Sequence, residues 1–285
     1  MNELARSTRV WAAGTRAFPP GAAPLLERND HDAPSVFRPE NLLREARRQR
    51  GLAAVSVPPI CVLDPDGDIV EHVRRHHGAS RGAHWPCYHT QMWEWTGSGL
   101  RYGIVGHAVG GAFAVLVAEQ LFASGCQLLI SIASAGQITD LGAPPYYIVL
   151  ERALRDEGTS YHYLSPSAYV HANPELVRLG AKVSGSVGQP VHVGATWTTD
   201  APFRETAEAI EARRREGILA VEMEAAALYA FAQARAKSVL CLAHVSNQLG
   251  CVEGDFEKGD GDGAGSSVAL LTAFASAWLA SAETT

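Results

Sequence analysis

Tyr102-Gly103-Ile104-Val105-Gly106-His107-Ala108-Val109-Gly110-Gly111, followed by Ala112 to Ser124 and then Leu128-Leu129-Ile130-Ser131-Ile132, sits at the centre of the 285-residue chain. Tyr102 to Val105 is a short apolar run of the kind found in a strand covered on both faces. Gly106 to Gly111 reads as a tight turn, and Ala112 to Ser124 as a helix. Leu128 to Ile132 is a second strand, ending in Ala133-Ser134-Ala135-Gly136. Strand, glycine turn, helix, strand is a βαβ unit, and such a unit gathers its loops at one sheet edge.

Reading outward, Tyr146 to Leu150, Val191 to Trp197 and Val239 to Val245 have the composition of further strands. Ala207 to Glu216 is a charged surface helix and Glu224 to Ala232 an alanine-rich buried one. The uncharged stretch Gly263 to Ala282 places Val268, Leu271, Phe274 and Trp278 at helical spacing, which favours a closing amphipathic helix over a membrane anchor. Upstream, Ile60-Cys61-Val62-Leu63 is a strand stopped by the turn Asp64-Pro65-Asp66-Gly67-Asp68, and a loop rich in His and Trp runs from His76 to Trp95. Pro39 to Arg50 is a basic helix with Gly51 as its stop, and residues 1 to about 34 form a loose arm. No repeat or linker interrupts the chain after residue 55. The expected organisation is an N-terminal arm and helix over 1–55 and one three-layer αβα domain over 56–285.

Apolar residues at 47% and charged residues at 19% can fill a core, which excludes a chain disordered throughout. Twenty-four basic against thirty acidic residues give a net charge of −6, so nucleic acid is not an expected partner, although a local basic pocket for a small anion is allowed. Cys61, Cys87, Cys126, Cys241 and Cys251 are widely spread and form no CxxC pair, the pattern of reduced thiols in a cytoplasmic protein. Arg6 and Arg9 are not followed by an apolar segment, so no secretory signal is expected, and no membrane partner. His84-x-x-Cys87-x-His89, with His76 and His77 nearby, lacks zinc-site spacing, and no metal is expected. Trp85, Trp93 and Trp95 suit that loop to packing.

The chemistry concentrates in Val221-Glu222-Met223-Glu224-Ala225-Ala226-Ala227-Leu228-Tyr229. Two carboxylates flank a methionine directly before an apolar helix. Burying an ionised carboxylate is costly unless it is hydrogen-bonded, and a helix N-terminus offers free N–H groups and a favourable dipole. Both glutamates therefore suit plain helix capping. One of them equally suits a polyol, since a vicinal diol presents two O–H donors to a carboxylate.

Read with Gly106-His107-Ala108-Val109-Gly110-Gly111 and Ser131-Ile132-Ala133-Ser134-Ala135-Gly136, this block resembles the nucleoside phosphorylase family. That family comprises uridine phosphorylases, hexameric purine nucleoside phosphorylases and methylthioadenosine/adenosylhomocysteine nucleosidases. The likeness runs over roughly residues 60 to 280. It implies a mixed central sheet with flanking helices, cleavage of an N-glycosidic bond, and a homo-oligomer (dimer or hexamer). It implies no cofactor, with a nucleoside as substrate and phosphate as co-substrate. By the same resemblance Glu224 grips the ribose 2′- and 3′-hydroxyls, Met223 packs on the sugar, and Glu222 is the preceding carboxylate of less uniform role. A carboxylate beside the sugar fits the chemistry, because it stabilises a developing oxocarbenium ion more than the neutral ground state. Ser134 matches the Ser or Thr that reaches phosphate, with Gly106 in the neighbouring turn. Ala135, Gly136, Phe203 and Arg204 fall near the base. Without the resemblance, Ser134 reads as a turn serine, the glycines as packing residues and His107 as a packing histidine.

Three departures from the family pattern bear on the reaction. Asp64 to Asp68 stands where the phosphorylases carry an arginine-bearing phosphate loop, and Ser131 stands where they carry a second arginine. Losing two guanidiniums removes a bidentate clamp, although Arg47, Arg48, Arg74, Arg75 or Arg101 could substitute. Asn247 stands in place of the aspartate that protonates a purine. An amide can donate a hydrogen bond but cannot transfer the proton, which shifts the expectation toward a pyrimidine. Asn247 also reads simply as a strand-end turn former. The leading expectation is a pentosyltransferase, a nucleoside phosphorylase releasing free base and ribose 1-phosphate. A nucleosidase using water and a non-catalytic nucleoside-binding protein stand behind it.

Overall fold

Every residue of Ile60–Asp64 is buried, and Tyr102 to Val105 is buried as well, as strands with helices on both faces require. The computed structural model describes residues 23–26, 30–249, 256, 258 and 260–282; residues 1–22 and 27–29 of the expected arm, Arg6 and Arg9 among them, and Cys251 lie outside these. In chain order the elements are α1 (Pro39–Arg50), β1 (Ile60–Asp64), α2 (Asp68–His76), β2 (Ser80–Arg81), β3 (Trp93–Gly97) and β4 (Leu100–Gly106). Then come α3 (Gly111–Ala123), β5 (Leu128–Gln137), β6 (Tyr146–Asp156), β7 (Tyr169–His171), α4 (Pro174–Lys182) and β8 (Val191–Thr199). The chain continues through α5 (Ala207–Arg215), β9 (Ile218–Glu222), α6 (Ala225–Arg235), β10 (Ser238–Asn247) and α7 (Ala264–Ala282).

The sheet is mixed, and part of it closes on itself. β1 lies parallel between β4 and β5, with β3 and β2 added antiparallel beyond β4. β5 pairs parallel with β10 and antiparallel with β9, while β10 continues to β6, β6 to β8 and β8 to β9. Five strands thus pair round in a ring. Alternation on β1 separates the two helical layers. Cys61 and Leu63 face α3 and α6, whereas Ile60 and Val62 face α2, α4 and α7. The expected three-layer α/β arrangement with a mixed sheet is what the chain adopts. α1 also packs on this body, burying Leu43 and Ala46.

Several elements differ from the sequence reading. β4 and β5 are not neighbours, because β1 inserts between them. β5 runs on to Gln137, since β10 pairs with it through Gly136, so Ser134 lies within a strand rather than after it. α2 begins at the acidic turn itself: Ile69, Val70 and Val73 supply a buried stripe, and the Asp64 carboxylate accepts the Val70 N–H at 2.9 Å. The His/Trp loop contributes β3, and Cys87 is buried in the core with Trp85 and Met92. The segment Gly261–Ala282 has the length and hydropathy of a membrane span, yet Val268, Leu271 and Phe274 are buried against the sheet and its helices.

α3 and α6 meet at a glycine. A Cβ on Gly111 would lie 2.8 Å from the Ala227 Cβ, so no side chain fits between the helices. Gly111→Ala is expected to destabilise the fold by about 1–3 kcal/mol through overpacking, read from chemical denaturation. A midpoint equal to wild type would mean that the two helices separate at no cost.

Candidate active site

β9 delivers Glu222 to the sheet edge, Met223 makes the turn, and α6 starts with Glu224 as its N-cap residue. Far along the helix Tyr229 anchors α6 to the sheet, its hydroxyl donating to the Leu150 carbonyl at 2.6 Å and accepting the Cys241 N–H at 3.0 Å. α6 is thereby tied to β6 and β10.

The two glutamates do different work there. Glu222 Oε2 accepts the N–H groups of Glu224 and Ala225, each at 2.7 Å, and Oε1 accepts the Thr198 hydroxyl at 2.6 Å. Thr198 Oγ1 in turn accepts the Ala226 N–H at 2.9 Å. Glu222 and Thr198 together take three of the free N–H donors that open α6. Burial raises the Glu222 pKa, against the pull of these hydrogen bonds.

Glu224 does not cap its own helix. Its side chain crosses to the turn before α3, where Oε1 accepts the Gly110 N–H at 2.6 Å. Gly110 reaches that orientation with φ +85°, a conformation open to glycine. Glu224 is buried, and burial first, then the Glu222 charge, pushes its pKa up to about 8. At neutral pH this carboxyl holds a proton more often than not. Hydrogen bonds donated by a diol would favour the anion. Met223 beside it is partly exposed.

Across the same edge, Ser134 donates twice to a single oxygen: its N–H at 3.0 Å and its hydroxyl at 2.5 Å both meet Asp66 Oδ2. Lys258 Nζ lies 3.3 Å from that oxygen and 2.6 Å from Asp68 Oδ2. Gly106 is covered by protein, for a Cβ there would lie 3.0 Å from Val70 Cγ2 and 3.5 Å from the Gly67 Cα. The His107 ring packs over Gly67.

The other sequence candidates lie as follows. Asn247 is buried; its Oδ1 accepts the Leu249 N–H at 3.0 Å and its Nδ2 makes a long contact of 3.5 Å to the Ala135 carbonyl. It thus closes a turn of its own chain. Ala135 is buried within β5, and the Leu249 side chain covers Gly136. Phe203 is 99% exposed and Arg204 is exposed beside it, both on the short turn Pro202–Arg204 after β8. None of the five candidate arginines reaches Ser134. Arg47 bonds Ser124, Arg48 pairs with Glu45, Arg74 and Arg75 pair with Glu71, and Arg101 pairs with Glu94. Arg155 is spent on its own loop, donating to Ser160, Leu164, Ser165 and Ser167.

Thr198 and the Gly110 N–H carry no local sequence signal as partners, because both contacts join segments far apart in the chain. Lys258 carries none either, being a lone lysine in a glycine- and aspartate-rich segment. A cavity of about 720 Å³ opens elsewhere, between the segment around Asp30 to Leu42 and the outer faces of α3 and α6, and none of Glu224, Ser134 or Asn247 lines it.

The sequence profile of the phosphorylase superfamily matches residues 59–277. Among curated relatives, a DeoD-type purine nucleoside phosphorylase of Colwellia psychrerythraea is 29% identical over 164 residues, covering 55% of this chain and 69% of that protein. The DeoD-type purine nucleoside phosphorylase of Roseobacter denitrificans is 30% identical over 163 residues, covering 54% and 67%. Among solved structures, a uridine phosphorylase from Vibrio fischeri superposes with a TM-score of 0.67 at 21% identity, over 77% of this chain and 93% of that one. At that identity the structural match speaks for the fold.

Proposed function

The chain belongs to the phosphorylase superfamily, and we propose that within it this protein is a nucleoside phosphorylase. Phosphate attacks the anomeric carbon of a nucleoside, the N-glycosidic bond breaks, and free base and ribose 1-phosphate leave. Glu224 accepts the ribose 2′- and 3′-hydroxyls, and its anion stabilises the oxocarbenium-like sugar as the bond lengthens. Met223 packs on the sugar, and Ser134 turns its N–H and O–H to the phosphate. The observation that carries the reading is the separation of the two carboxylates. Glu222 and Thr198 do the capping, which leaves Glu224 a buried carboxyl whose Oε1 reaches the N–H of a facing turn.

We infer a pyrimidine nucleoside as the favoured substrate, since Asn247 carries an amide where protonation of a purine needs an acid. The DeoD-type relatives carry purine in their names, so the assay has to span both bases. A cytoplasmic homo-oligomer is the accompanying proposal; all four described cysteines are free and buried. One observation favours a second reading, hydrolysis by water: the Asp66 carboxylate already holds the Ser134 donors.

Incubation with uridine, inosine and methylthioadenosine, with and without phosphate, tests the proposal. The expected result is base release that requires phosphate, fastest with uridine. Equal release without phosphate supports the hydrolytic reading instead, and binding without release removes both.

A further inference from the structure

Asp66 Oδ2 accepts the Ser134 N–H, the Ser134 hydroxyl and an ion pair with Lys258, and three donors converging on one oxygen is the environment of a bound oxyanion. The donors come from β5 and from the segment before α7, whereas the acceptor comes from the turn after β1. The Asp66 side chain is 32% exposed and that of Lys258 20%, so the carboxylate can rotate toward water while the ammonium stays partly enclosed. Lys258 is also tied at 2.6 Å to Asp68, which keeps it in place when Asp66 leaves. His244, 4% exposed and stacked on Tyr147, is the β10 register partner of Ser134, and its Nε2, which lies against Gly263, lacks a partner among the described residues.

We propose that Lys258 is the cation of the phosphate subsite, standing in for the missing arginines, and that Asp66 is a built-in competitor that phosphate must displace from Ser134. The inference rests on the phosphorolytic reading of the site. Phosphate and Asp66 cannot share the position, because Ser134 has only these two donors and two anions so close repel strongly. On entry, phosphate takes the Ser134 N–H and O–H, Lys258 bridges it to Asp68, and Asp66 turns outward.

Isothermal titration of inorganic phosphate into wild type, Asp66→Ala, Asp66→Asn, Lys258→Met and Lys258→Arg, with the phosphate half-saturation of base release alongside, tests this. Removing the competing charge should tighten phosphate binding about ten-fold in both Asp66 variants. Lys258→Met should weaken it by about ten-fold or more, and Lys258→Arg should restore most of the loss. Unchanged or weaker binding in both Asp66 variants, or unchanged binding in Lys258→Met, overturns the inference even if wild type needs phosphate for turnover. Should wild type release base without phosphate while the affinities shift as stated, the anion subsite stands and the phosphorolytic reading falls.

Discussion

Glu224→Gln should lower kcat/KM for the nucleoside by roughly 30- to 1,000-fold, or about 2–4 kcal/mol of transition-state stabilisation. The amide keeps an oxygen for the Gly110 N–H, so the turn before α3 stays tied to α6. It has no negative charge to set against a developing oxocarbenium ion, and its NH2 cannot accept a hydroxyl proton. The loss should fall mainly on kcat, because charge develops after binding. The pH profile sharpens the test. With the free carboxyl titrating at about 8, wild-type kcat/KM should rise with pH as the anion forms and level off above that value. The variant should lack that rise.

Stability should move the other way. The pKa of Glu224 is raised from its ordinary 4.5 to about 8 in the fold, so between those values the native state binds the extra proton. Folding stability from this group is full below about 4.5 and declines as pH rises through about 8. Glu224→Gln removes that decline, and the variant should melt at a higher temperature than wild type near pH 8.5. A variant that is both less active and less stable there would argue that Glu224 serves the fold rather than the sugar.

Glu222→Ala is the second large effect, and here the fold gives way. The substitution strips the Glu224 and Ala225 N–H groups and the Thr198 hydroxyl of their acceptor in a buried place. Orphaned buried donors cost about 1–3 kcal/mol each when no water reaches them, and partial relaxation leaves an expected total near 3–5 kcal/mol. Denaturant titration should show that loss, with activity falling as the start of α6 loses its position. Glu222→Gln keeps one acceptor oxygen and should lose less. Stability within 1 kcal/mol of wild type in Glu222→Ala would contradict the capping role of this side chain.

Much of this was legible in the sequence because it rests on local pattern. Tyr102 to Val105, Leu128 to Ile132 and the alanine-rich helix after Glu224 announce themselves by composition, and they became β4, β5 and α6. α2 was harder to see. Its buried stripe is only Ile69, Val70 and Val73, and the acidic turn before it reads as an ending although Asp64 reaches forward to the helix N–H of Val70. The closed ring of strands was not legible at all, since β5 pairs with both β9 and β10 and nothing in a strand names its partner.

The site divides along the same line. That Glu222 and Glu224 stand at a helix start follows from the block itself, but which of them caps depends on Thr198 and Gly110, brought in from other elements. Asp66 illustrates the limit well. The sequence presents it as a charge that would repel an anion, whereas the fold seats it as an anion on Ser134 and Lys258. Phe203 shows the converse limit: an aromatic in the right segment says nothing of which way the chain turns it, and in the single chain it faces solvent.

Whether Glu224 clasps the two sugar hydroxyls is decided by comparing kcat/KM for a nucleoside and its 2′-deoxy and 3′-deoxy analogues in wild type and Glu224→Ala. Wild type should prefer the ribonucleoside by about ten-fold or more over each analogue, and the variant should lose that preference. A ribonucleoside preference of the same size in both proteins would mean that Glu224 does not hold the sugar hydroxyls.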